Sequence, residues 1–322
     1  MNVFLGIDVG SVSTNIVLID ETHNVKQALY LRTLGRPIET LQNGLLKLYT
    51  LIPRETKVKG VGTTGSGRKL AALIVGADVV KNEITAHAVA AADQIPDVHS
   101  VLEIGGQDSK IIILENGIVS DFAMNTVCAA GTGSFLDQQA ARLGLTIEEF
   151  SKLALKTKNP VRIAGRCSVF AESDMIHKQQ LGHSISDIVA GLCQALVRNY
   201  LNNVGKGKDI KAPIIFQGGV AANPGIKIAF EEALGEKIIV PQWFNVMGAI
   251  GAAILAKEAV SGKNETNFKG FDLVKSDFTT LSFECQGCPN ICEVIELYID
   301  GNLKARWGDK CNKWTDAIEN AG

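Results

Sequence analysis

The 322-residue sequence has no excess of either charge: 32 lysines and arginines stand against 34 aspartates and glutamates, a formal net charge of −2. That balance gives no electrostatic reason to expect nucleic acid or an anionic membrane as a partner. No apolar run is long enough to cross a bilayer. The most apolar late stretch, residues 246–256, is short and rich in Gly and Ala, and reads as a helix packed closely against its neighbours. The opening Met1-Asn2-Val3-Phe4-Leu5-Gly6-Ile7-Asp8 carries no basic segment and no cleavage site, so no export signal is visible. The cysteines do not make an even set. Seven of them without an export signal point to a reducing cytoplasm and thiol chemistry, not to a disulfide scaffold. What remains is an ordinary globular composition, 46% hydrophobic and 20% charged, in a chain long enough for two lobes.

Apolar alternation predicts strands over residues 3–9, 15–19 and 25–32, with a Gly/Ser/Thr turn between the first two. A helix over 38–51, a strand over 57–62 and a helix from Arg68 follow. The pattern then returns. Shifted by 95 residues, Asp8-Val9-Gly10 falls on Glu103-Ile104-Gly105, Thr14 on Ser109, and the apolar run at 16–19 on that at 111–114. This is one internal duplication, and it predicts two mixed β/α lobes facing one cleft. We place the boundaries at 1–97, 98–260 and 261–322.

Each repeat opens on an acid-x-Gly turn rich in hydroxyls and amides: Asp8-Val9-Gly10-Ser11-Val12-Ser13-Thr14, and Glu103-Ile104-Gly105-Gly106-Gln107-Asp108. Glycines let backbone N–H groups approach a phosphate, hydroxyls add donors, and a carboxylate holds magnesium or orients water. Later, Gln217-Gly218-Gly219-Val220-Ala221-Ala222-Asn223-Pro224 ends a buried strand on a glycine pair. Bare backbone there suits a flat purine or ribose, and equally a tight packing turn. A Rossmann-like string, Gly60-Val61-Gly62-Thr63-Thr64-Gly65, lacks the acid that fold requires, and the near-Walker loop ending Arg68-Lys69-Leu70 has the wrong residues at its key positions. Neither is the main nucleotide site; a loop lining the cleft is the reading left to them.

Two cysteines, Cys128 and Cys167, each precede a predicted helix, over 134–143 and 168–180. Thiols at helix N-termini tend toward thiolate and bind soft metals; buried, inert cysteines are the alternative. Two thiols do not complete a four-cysteine cluster, but a two-fold dimer brings two from each chain to one axis. In the tail, Cys285, Cys288 and Cys292 precede a strand, an Asp300-Gly301 turn and a second strand, with Cys311 at the foot of that hairpin. Four thiols so spaced suit zinc or an iron–sulfur cluster, and the spacing leaves both open. Incidental cysteines on a surface hairpin are the third reading.

Together the two phosphate turns, the adenosine-type loop at 218–223 and the strings Asn125-Thr126-Val127-Cys128-Ala129-Ala130-Gly131-Thr132-Gly133-Ser134 and Gly165-Arg166-Cys167-Ser168-Val169-Phe170-Ala171-Glu172-Ser173 resemble one family. It is the ATP-dependent activators of 2-hydroxyacyl-CoA dehydratases and benzoyl-CoA reductases, within the actin, sugar-kinase and chaperone ATPase superfamily. The resemblance covers about residues 3–257. It implies an α/β fold of two duplicated ribonuclease-H-like lobes around a nucleotide cleft. It implies ATP or ADP with Mg held by Gly10, Ser11, Val12, Ser13, Thr14, Gly105, Gly106, Thr132, Gly218, Gly219, Asn223 and Gln242, with Asp8, Gln107 and Asp108 catalytic. It further implies a homodimer sharing one 4Fe-4S cluster through Cys128 and Cys167, an electron taken from ferredoxin or flavodoxin, and delivery into an iron–sulfur reductase or dehydratase. Glu103 departs from the Asp common in the second phosphate turn, and the small Cys-rich C-terminal hairpin is an addition to a minimal activator. Two other classes compete. One is a small-metabolite kinase of the same fold, with Asp108 as base for a substrate hydroxyl, which has no use for thiols at two helix starts. The other is a non-redox ATP-sensing assembly protein with the tail as its docking module.

Overall fold

The computed structural model describes residues 1–125, 128–157, 159–263, 265–272 and 276–315. Thr126 and Val127 of the first cysteine string, and the end of the tail from residue 316, lie outside the described residues.

Strands β1 (Asn2–Val9), β2 (Ser13–Ile19) and β3 (Val25–Arg32) form an antiparallel meander. Helix α1 (Pro37–Leu51) leads to β4 (Lys57–Thr64), which runs parallel to β1. Then come α2 (Arg68–Val75), the short β5 (Val79–Val80) and α3 (Glu83–Gln94), whose first turn is capped by Asn82. The sheet order is β3-β2-β1-β4-β5. In the second half β6 (Ser100–Ile104), β7 (Ser109–Glu115) and β8 (Ile118–Asn125) form the same meander. Four helices follow: α4 (Gly133–Arg142), α5 (Ile147–Leu153), α6 (Ser168–Gln180) and α7 (Ile185–Asn203). The second sheet is completed by β9 (Ile214–Gln217), α8 (Pro224–Leu234) and β10 (Ile238–Ile239), in the order β8-β7-β6-β9-β10. That is the first sheet's order repeated. The register repeats too: Asp8 faces Asn15 across β1 and β2, and Glu103 faces Lys110 across β6 and β7.

The lobes exchange helices. Helix α9 (Met247–Ala259), which lies in the span the sequence assigns to the second lobe, packs on the first sheet, its Val246, Ala249, Ile250 and Ala253 against Phe4, Val17 and Ile19. Glycines at Gly6 and Gly62 allow it: a Cβ there would fall 1.8 and 2.1 Å from the carbonyl oxygens of Ala249 and Ala252. Conversely, Ile84, Ala88 and Ala91 of α3 join the core around Val101, Ile112 and Ile215 of the second sheet. A linear boundary at residue 97 is therefore crossed twice, for a physical reason: each sheet has a second apolar face, the first covered by α9 from the far end of the chain's second half and the second by α3, which directly precedes β6.

The tail returns to the first lobe. Phe268 and Phe271 pack with Phe278 beside α1 and α2, and Thr266 and Asn267 hydrogen-bond Asp78. Strands β11 (Phe278–Glu284), β12 (Glu293–Ile299) and β13 (Asn302–Trp307) then form a three-stranded antiparallel sheet. Sequence alternation found the last two strands and missed the first.

Candidate nucleotide and thiolate sites

The two acid-x-Gly turns close identically. The Gly10 amide donates to the Ser13 carbonyl at 2.8 Å and the Gly105 amide to the Asp108 carbonyl at 3.0 Å. Both line one cavity between the lobes, of about 170 Å³, with Asp8, Glu103, Asp108, Lys110, His87 and Glu83. Ser11, Val12, Ser13, Gly106, Gln107, Gly218 and Gly219 also face it, as do Gly65 and Ser66 of the Rossmann-like decoy. A larger cavity of about 630 Å³ adjoins it, lined by Tyr30, Leu136, Ile147, Lys152, Asn223 and Phe244. Its shape and apolar walls suit a flat base beside a polar phosphate pocket. Gly218, on the wall of the smaller cavity, stands at φ +87, where any Cβ would meet the Ile104 carbonyl oxygen at 2.4 Å, so only glycine fits.

Electrostatics divides the carboxylates. Burial pushes Asp8 up to about 6; Lys110 pulls it back, while Glu83 and Asp108 add to the rise. Burial also pushes Glu103 up to about 7 against the pull of Lys110. Burial alone would lower the Lys110 ammonium, but Glu103 and Asp108 hold it above the ordinary lysine range. Its Nζ lies 3.1 Å from Glu103 and 2.7 Å from Asp108. His87, pushed down to about 3 first by burial and then by Lys110, is neutral and hydrogen-bonded to Gln217 at 2.8 Å. Asp8 has no ion pair among the described residues, which fits it for a divalent cation delivered with a nucleotide.

Not every expected residue reaches the cavities. Thr14 is buried and pairs with the Thr33 hydroxyl at 3.1 Å, and the Thr132 hydroxyl donates to the Ala129 carbonyl. Both shape turns and line neither cavity. Gln242 is exposed and outside both linings; Phe244 and Asn245, two and three residues on, take that place. Asn223 lines the larger cavity while its Oδ1 caps α8 through the Gly225 and Ile226 amides. Sequence reasoning passed over Lys110, His87 and Glu83. Lys110 had a signal, as the residue matching Asn15 in the repeat; His87 and Glu83 come from α3, whose crossing between lobes has none.

The second phosphate turn is bonded directly to the cysteine segment. The amides of Gly133 and Ser134, which open α4, donate to the carbonyls of Gly105 and Gly106 at 2.9 and 2.8 Å, and the Ser134 hydroxyl donates to Gly106 at 2.6 Å. Cys128 begins the 3-10 turn just before α4, and Cys167 sits at the N-cap of the thirteen-residue α6. Cys128 Sγ lies 3.8 Å from the carbonyl oxygen of Arg166, the residue before Cys167, so the fold brings the two cysteine loops together. Both are half-buried. Beyond them, Val169 and Phe170 on α6 are 66% and 65% exposed, an apolar flank beside Cys167. Two half-exposed thiols on adjoining loops, one at the N-cap of α6 and the other opening the 3-10 turn ahead of α4, have the donor chemistry to bind a soft metal.

Cys193 is buried in the second core and its thiol is pushed up to about 12, an inert residue. In the tail, Cys285 is buried, with its amide bonded to the Cys292 carbonyl at 2.8 Å, whereas Cys288 and Cys311 are exposed and Cys292 half-buried. Among the described residues, no three of the His, Cys, Asp and Glu side chains stand close enough to hold a metal ion. Nor, among them, is any helix long and apolar enough to cross a membrane.

Residues 5–256 match the model of the BadF/BadG/BcrA/BcrD ATPase family. The chain is 37% identical over 266 residues to the (R)-2-hydroxyglutaryl-CoA dehydratase activating ATPase of Acidaminococcus fermentans, covering 78% of this chain and 96% of that protein. The crystal structure of component A of the (R)-2-hydroxyglutaryl-CoA dehydratase from that organism superposes with a TM-score of 0.73 at 32% identity, over 81% of this chain and 100% of that one. The activator of 2-hydroxyisocaproyl-CoA dehydratase from Clostridium difficile, solved with bound ADPNP, gives a TM-score of 0.71 at 32% identity, over 81% and 97%.

Proposed function

This chain belongs to the BadF/BadG/BcrA/BcrD ATPase family, and on that premise we propose that it is a homodimeric, ATP-driven electron-transfer activator of a 2-hydroxyacyl-CoA dehydratase or related reductase. The observation that carries the reading is the bonding of the Gly105-Gly106 phosphate turn to the start of α4, next to Cys128. A phosphate entering the cleft moves that turn, and the turn holds the helix that carries the cysteine loop.

In this reading ATP lies with its base against Asn223, Phe244 and the Gly218-Gly219 backbone, and its phosphates between the two turns. Asp8 holds the magnesium, Gln107 and Asp108 orient the attacking water, and Lys110 keeps Glu103 and Asp108 from repelling the phosphates. Cys128 and Cys167 of each protomer hold one 4Fe-4S cluster at the two-fold axis, and the cluster supplies one-electron storage at low potential. The exposed Val169 and Phe170 are buried by the second protomer. Ferredoxin or flavodoxin supplies the electron and an iron–sulfur dehydratase or reductase component receives it. The A. fermentans and C. difficile relatives are by name activators of 2-hydroxyglutaryl-CoA and 2-hydroxyisocaproyl-CoA dehydratases, which supports a dehydratase as partner. A kinase on this fold would leave the paired cysteines without a purpose.

The test is iron stoichiometry after anaerobic purification. The reading expects a brown dimer absorbing near ~400 nm with about four irons, lost on Cys128→Ser or Cys167→Ser, while ADPNP still binds. Cys288→Ser serves as the control for iron held by the tail. Unchanged iron per dimer in both Cys128→Ser and Cys167→Ser rejects the shared cluster.

A further inference from the structure

Helix α7 carries two neighbouring polar residues that are fully buried, Asn199 at 1% and Tyr200 at 0% exposure. They reach different elements. The Asn199 amide nitrogen lies 2.6 Å from the Gly165 carbonyl and 3.6 Å from Cys128 Sγ, so one NH2 group spans both cysteine loops. Its orientation is fixed chemically. A carbonyl can only accept, which places the nitrogen toward Gly165 and the sulfur, and Asn203 Nδ2 donates to the Asn199 oxygen from the other side at 2.9 Å. The Tyr200 hydroxyl donates to the main-chain carbonyl of Lys110 at 2.6 Å, on the strand whose Lys110 side chain lines the smaller cavity. Both side chains are buried polar groups with partners, the kind that rigidify what they join.

We propose that Asn199 and Tyr200 are positioning residues that tie the Cys128 sulfur to strand β7 of the nucleotide cleft. This deepens the proposed function and rests on it. An N–H aimed at a thiolate ligand favours the added electron on whatever that thiolate holds, so Asn199 raises the reduction potential of the site. Because Asn199 and Tyr200 are adjacent on one rigid helix, a shift of β7 on nucleotide binding is carried to the N–H···S distance. The route is separate from the bonds between Gly105-Gly106 and α4, and it ends on the ligand atom itself.

The experiment is an anaerobic redox titration of the purified dimer, read by the electron-paramagnetic-resonance signal of the reduced protein, with ADP and then with ADPNP. Asn199→Leu, close to isosteric, uncharged and without a donor, is expected to cut the reduced-to-oxidised ratio at fixed potential about tenfold in both nucleotide states, a shift of about 59 mV to the negative for one electron. Asn203→Ala, an exposed substitution that only loosens the Asn199 amide, is expected to shift it the same way by less. Tyr200→Phe, which removes one oxygen, is expected to keep the ADP-state potential and lose most of the difference between ADP and ADPNP. Potentials equal to wild type in Asn199→Leu, or in Asn203→Ala if the first variant fails to fold, overturn the role of Asn199. An undiminished nucleotide difference in Tyr200→Phe overturns the link to β7. A wild-type dimer without any such signal instead refutes the shared cluster on which the inference stands.

Discussion

At matching positions of the duplicated sheets the two lobes carry different charges. Where the first lobe sets Asp8 opposite Asn15, the second sets Glu103 opposite Lys110. In the second lobe the buried carboxylate therefore brings its own cation; in the first, Asp8 has no ion pair among the described residues. The connections differ as well. From Arg32 to Lys57 the first lobe inserts one helix between its third and fourth strands, whereas from Asn125 to Ile214 the second inserts four, and both cysteines lie among them. The repeated meanders line the cleft from both sides, and the second lobe's longer connection carries the thiols and bonds α4 to its acid-x-Gly turn.

The largest effect expected from this asymmetry is at Lys110. Lys110→Met leaves Glu103 buried without its partner and is expected to destabilise the protein by about 3–5 kcal/mol in chemical denaturation. A loss no greater than that of an exposed pair, about 1 kcal/mol, would show that the second lobe's charge pair is not the difference described. Next is Asp8→Asn. Because Asp8 sits near 6 in the folded protein against an ordinary 3.8, its favourable share is complete below the ordinary value and is lost as pH rises through about 6. The two-unit shift is worth about 3 kcal/mol at most. The asparagine variant is thus expected to be more stable than wild type above pH ~6, with the gap closing toward pH ~4. Its ATP hydrolysis is expected to fall on the order of a hundredfold or more, since the carboxylate for the metal is gone. Identical pH-stability curves for the two proteins would place Asp8 in water, not in the cleft wall.

Much of this was legible in the sequence because the signals were local and repeated. The acid-x-Gly turns recur at a fixed offset, so Asp8, Gly10, Gly105 and Asp108 could be placed facing one another before any coordinates. The helix start at Cys167 was legible from composition, whereas Cys128 opens a three-residue 3-10 turn and stands five residues before α4. What could not be read depends on contacts between distant segments. Periodicity shows that α3 and α9 are helices but not that each covers the other lobe's sheet. Gln242 follows a strand, as a ligand-binding residue would, yet the turn after β10 directs it to solvent and brings Phe244 inward. Asn199 and Tyr200 look like ordinary residues of an amphipathic helix; only packing shows that one meets a sulfur and the other a strand of the cleft.

The central claim is that the nucleotide cleft and the Cys128–Cys167 loops are two ends of one coupled element, and coupling must be reciprocal. The direct measurement is the ADPNP affinity of the anaerobic dimer in its oxidised and dithionite-reduced forms. The account predicts affinities that differ by the factor given by the nucleotide-induced shift in reduction potential. Equal affinities in the two redox states would contradict it.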